Sequence, residues 1–171
     1  MNEPNTDALS VSHTLLRFLV GLNRVFGACV LVLLIWTFIA ADFVARALGT
    51  DTSPLALVGM RLIMVVGVIG AVITNLVLTR LLSIVETVRI GNPFVTENAS
   101  RLQGIAWSVL ALELSRLAVV AIANMVSTEA RPIHIDWNLS FTPWLAVLLL
   151  FVLARVFDHG ARMREDLDGT V

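Results

Sequence analysis

The sequence predicts an all-α membrane protein with four transmembrane helices and with its N-terminus and C-terminus both in the cytoplasm. Three observations predict it. Of 171 residues, 57% are hydrophobic and only 15% are charged, too little polar surface to keep a domain of this length in water. Four apolar runs approach or exceed the roughly 20 helical residues needed to cross a bilayer core of about 30 Å. The arginines outside those runs gather on one side of the membrane.

The first span covers about 25–44 and is free of charge until Asp42. The second covers about 55–78, interrupted only by Arg61; the third, about 102–126, carries Glu113 and Arg116; the fourth, about 139–157, is charge-free up to Arg155. Runs of this length must be helical, because hydrocarbon offers no partner to an unpaired peptide group. Phe26-Gly27-Ala28-Cys29 has the small residues of a lipoprotein cleavage site, but its apolar run follows Cys29 instead of preceding it, so the first span reads as an uncleaved helix.

Orientation follows from the arginines. Arg17, Arg24, Arg80, Arg89, Arg101, Arg155, Arg162 and Arg164 flank the termini and the middle connection, whereas the other face has only Arg46 and Arg131. Short loops rich in Arg stay inside, so both termini, the 79–101 connection and the 158–171 tail are expected in the cytoplasm.

Within the middle connection, 80–90 sets Leu81, Leu82, Ile84, Val85 and Val88 on one side of a helix, an amphipathic continuation expected to lie along the membrane surface. Gly91 suits a left-handed stop and Asn92-Pro93 a turn. Thr96 is then placed to cap the next helix, with Glu97 in its first turn. In the second outer connection, Ile133, Ile135, Trp137, Leu139 and Phe141 alternate with polar residues, which predicts a short extended segment or hairpin.

Several function classes find no support in the residues. A net charge of −1 provides no basic field for nucleic acid. Cys29 is the single cysteine, and His13, His134 and His159 lie in three separate segments, so neither a disulfide nor a metal centre is expected. No acid–base pair, nucleophile triad or phosphate loop appears, which predicts no catalytic residues, no cofactor and no enzyme.

Ionisable groups within a span are costly and mark a functional hypothesis. Asp42, Arg61, Glu113 and Arg116 are expected to converge on the outer half of the bundle as a neutral charge network, with Glu113 and Arg116 one turn apart. Arg155 can snorkel to the cytoplasmic surface. A proton or ion relay through Glu113, in a small transporter or channel subunit, and an anion site between Arg61 and Arg116 are the functional alternatives to a network that fixes packing. Small-residue stripes, Gly67, Ala71 and Asn75 in the second span and Ser108, Ala111, Ser115 and Ala118 in the third, suit close helix contact. The stripe of the third span lies nearly opposite Glu113, so that helix either sits centrally or meets another copy in a homo-oligomer.

The segments RLLSIVETVRIGNPFVTENASRLQGIAW, WLAVLLLFVLARVF and GARMREDLDGTV together resemble domain-of-unknown-function family 2975 over roughly 15–171. Its most recognisable part is Gly91-Asn92-Pro93-Phe94 followed by Asn98 and Arg101-Leu102. The resemblance implies a bacterial protein of the cytoplasmic (inner) membrane and no known activity. It does imply a partner, since such proteins are often encoded beside a small helix-turn-helix regulator, and it makes Gly91, Asn92, Pro93, Phe94, Asn98 and Arg101 candidates for a cytoplasmic contact. Nothing in the chain resembles a DNA reader, so any effect on transcription would pass through that partner.

Overall fold

A computed structural model describes residues 4–47, 53–126 and 140–168, with side chains described over 10–47, 53–126 and 140–166. Among these residues the chain is entirely helical: α1 is Pro4–Ile39, α2 Ala41–Ala47, α3 Pro54–Arg89, α4 Thr96–Val126 and α5 Thr142–Asp168. Four of them, α1, α3, α4 and α5, are long and apolar enough to cross a membrane. The expected extended segment falls almost wholly on 127–139 and so lies outside the described residues.

The first span differs from expectation at both ends. Its helix begins at Pro4 instead of near residue 25, because Val11, Leu15, Phe18 and Leu22 continue a helical stripe through a polar sequence that hydropathy alone discounts. It stops at Ile39, and α2 restarts after Ala40. α3 is stopped and started by conventional chemistry: Ser53 accepts from the Ala56 amide at the N-cap, and Pro54 occupies the first turn.

The helices are arranged in an open row. α1 packs on α3, α3 on α4, α4 on α5, and α2 on α1; no other pair among the described residues makes extended contact. α3 and α4 are therefore the central pair, and α4 takes the central option that its two occupied faces left open. The small-residue stripe of α3 faces α1, with Gly67 beside Val30 and Ala71 beside Gly27. At the other seam Gly59 lies against Val126, so closely that a methyl group there would overlap the valine.

All four long helices exceed the bilayer core. At 36 residues α3 is about 54 Å long, against roughly 30 Å of hydrocarbon. Its apolar run ends near residue 78, so the surplus lies at the α3–α4 elbow, where the N-terminal half of α1 and the C-terminal end of α5 also fall. Residues 79–88 are half-buried, Arg89 is exposed, and the segment continues α3 without a break. The amphipathic segment thus continues α3 as part of one helix, packed against its neighbours.

Candidate functional site

Two groups of polar side chains stand out. The first is the set of charges expected within the membrane, which the structure divides. Arg116 donates from Nε to both Glu113 carboxylate oxygens at 3.1 Å and from Nη2 to Oε1 at 2.6 Å. Glu113 is buried and Arg116 half-exposed, so the pair is satisfied within one helix and leaves one end toward the surroundings. Arg61 goes elsewhere. Its Nη2 donates to the Thr37 carbonyl at 2.8 Å, and its guanidinium lies 4.5 Å from the centre of the Phe38 ring.

The break at Ala40 explains that partner. Ending α1 frees carbonyls of its last turn, and an orphan carbonyl in hydrocarbon needs a donor. Arg61 supplies one for Thr37, while the Thr37 hydroxyl donates to Leu34 O at 2.6 Å. Asp42 opens α2, where its carbonyl accepts from Arg46 Nε at 3.0 Å. Among the described residues no ion pair joins Arg61 or Asp42 to Glu113 and Arg116. The register shows why a single network does not form. With Gly70 beside Leu112 and Gly59 beside Val126, Glu113 is level with about residue 70 of α3, roughly 14 Å along the axis from Arg61.

The second group is the elbow. Ile90 caps α3, and Gly91 follows with φ +85°, a conformation that favours glycine. The Gly91 amide donates to Val88 O and the Asn92 amide to Thr87 O, both at 3.0 Å, which closes a Schellman motif. Asn98, fully buried, locks the turn from the opposite strand of the hairpin. Its Nδ2 donates to Thr87 Oγ1 at 2.7 Å and to Pro93 O at 2.9 Å, while its Oδ1 accepts from Arg101 Nη1 at 2.8 Å.

The neighbouring helices are pinned to this lock. Phe94 packs on Phe157 of α5 at 5.2 Å between ring centres and lies over Gly160, where a methyl group would crowd it. Thr96, expected as an N-cap, is instead the first helical residue, and its hydroxyl donates to Glu165 Oε1 at 3.2 Å. On the α1 side, Glu86 Oε2 lies 3.7 Å from both His13 Nε2 and Arg89 Nη1. That oxygen is buried and makes no hydrogen bond, so its stabilisation is Coulombic.

Of the six candidate contact residues, Gly91, Asn92 and Phe94 are exposed, Pro93 and Arg101 are half-buried, and Asn98 is sealed inside. Asn98 therefore acts on the shape of the elbow and touches no partner directly. Several polar residues to which sequence reasoning gave no bridging role also join helices. Arg80 lies against Gly104 and donates to Ser108 Oγ at 3.2 Å; Asn23 donates to Ala71 O at 2.9 Å and Arg24 to Asn75 Oδ1 at 3.3 Å. Their signal was polarity near the end of an apolar run, which snorkelling to the surface would explain equally well.

Long apolar helices, an open membrane-spanning row and a polar lock at one end define a four-helix multi-pass membrane protein. Residues 47–171 match the family described as "Protein of unknown function (DUF2975)", and the chain belongs to that family. The match takes in α3, α4 and α5, beginning later than the resemblance near residue 15 suggested. Neither the curated proteins nor the solved structures yielded a match.

Proposed function

We propose that this chain is a non-enzymatic regulatory or interaction protein of the bacterial cytoplasmic membrane, which presents its elbow and α5 tail to a cytoplasmic helix-turn-helix regulator. The observation that carries this reading is the overhang. α1, α3, α4 and α5 all continue past hydrocarbon length at one end, and there the turn is fixed by Asn98 and tied to α5 through Phe94 and Thr96. A connection that served only to reverse the chain would need neither the extra turns nor the ties to α5. The arginine distribution supports a cytoplasmic position for this end.

The test is co-purification of the tagged full-length chain from cells that also express the neighbouring regulator. The regulator is expected to be retained by the wild type and lost when exposed Asn92 and Phe94 are both replaced by Asp. No recovery with the wild type, with both proteins expressed, contradicts the proposal.

Burial of a carboxylate at Glu113 favours a second reading, a small transporter or channel subunit. Against it stands the pairing of Glu113 with Arg116, which occupies both carboxylate oxygens. Flux through proteoliposomes that is abolished by Glu113→Gln would support a relay, and flux unaffected by it would count against one.

A further inference from the structure

We propose that the elbow end of α5 holds an anionic phospholipid, whose phosphate sits between Arg155 and His159 and whose acyl chain runs down the outer face of the helix. A groove of about 610 Å³ opens there, lined by Arg155, Val156, His159, Met163, Phe94 and Arg164. Leu145, Leu149, Val152 and Val156 are each more than half exposed and follow one another at spacings of four, three and four residues. They form one apolar stripe along the helix, and His159 and Met163 continue it into the groove.

Such a surface combines the two chemistries of a phospholipid in the right order. The stripe faces hydrocarbon through the span, then meets a guanidinium and an imidazole where α5 leaves the core. Arg155 and His159 are four residues apart and so share a helical face, and both are exposed. The nearby carboxylate of Asp158 is held by Arg162 at 3.0 Å, and among the described residues Arg155 itself has no ion-pair partner. A guanidinium binds a phosphate through two parallel hydrogen bonds, and basic pockets at helix ends select anionic headgroups over zwitterionic ones. The proposal concerns the lipid-facing side of α5 and shares Phe94 with the surface offered to a regulator, so its test leaves Phe94 unchanged.

The experiment is native mass spectrometry of the full-length protein released from bilayers of equimolar phosphatidylglycerol and phosphatidylcholine. Phosphatidylglycerol is expected to be retained preferentially. Arg155→Gln should reduce that retention about fivefold, Arg155→Lys should keep most of it, and Arg46→Gln at the opposite end should leave it unchanged. Should Arg155→Gln not fold, His159→Glu provides the same test by setting a carboxylate in the groove, which should remove the preference. Equal retention of both lipids by the wild type overturns the proposal, as does undiminished preference in a folded Arg155→Gln or His159→Glu protein.

Discussion

Asn98 is the residue on which most of the elbow depends. Its side chain is buried with three hydrogen bonds, two donated and one accepted, which join the last turn of α3, the turn itself and the first turns of α4. Asn98→Ala removes all three and leaves the Pro93 carbonyl and Arg101 without these partners, while the Thr87 hydroxyl keeps its bond to Ile84 O, so a loss of about 2–4 kcal/mol is expected, read as reduced thermal stability in detergent. Gly91→Ala should cost about 1–2 kcal/mol in the same assay, because its positive φ is unfavourable for a residue with a Cβ. Glu113 and Arg116 should respond unequally. Arg116→Gln leaves a buried carboxylate without its cation, whereas Glu113→Gln leaves a half-exposed guanidinium able to reach polar surroundings, so the first variant should melt at the lower temperature. The turn itself was legible in the sequence, since Gly91 and Asn92-Pro93 have local signatures. The role of Asn98 was not, because its partners lie on both sides of that turn and only the folded hairpin brings them together.

At the scale of the helices, the central seam depends on close approach between α3 and α4. Gly59 sits against Val126, and a methyl group added there meets a stiff β-branched side chain. Gly59→Ala should therefore destabilise by about 1–3 kcal/mol, and Val126→Ala in the same chain should recover most of that loss, which a double-mutant thermal series would measure. Gly104 is a useful contrast. Its close neighbour is the end of the flexible Arg80 side chain, so Gly104→Ala should be better tolerated than Gly59→Ala. Element existence was readable from apolar length, but element ends were not. α1 extends far into sequence that hydropathy scores as a tail, and nothing local marks the break at Ala40, which contains neither Pro nor Gly. Arg61 at that break was visible as an intramembrane charge, yet its partner is a backbone carbonyl, and carbonyls carry no sequence signal.

At the scale of the whole molecule, the expectation of one convergent charge cluster gives way to two separate levels and a row that is open at both edges. The midpoint of the molecule is occupied by a self-neutralised pair, while the largest departure from a minimal bundle is the helical overhang around the elbow. The working surface proposed above is that end, and the position proposed for it is the cytoplasm. Single-cysteine labelling with a membrane-impermeant maleimide tests this most directly, in a Cys29→Ser background. Asn92→Cys, exposed at the elbow, should react in inverted membrane vesicles and stay unreactive in intact spheroplasts; Ser140→Cys, exposed at the far end, should show the reverse. Labelling of Asn92→Cys from outside the cell, or of both positions from the same side, would contradict the account.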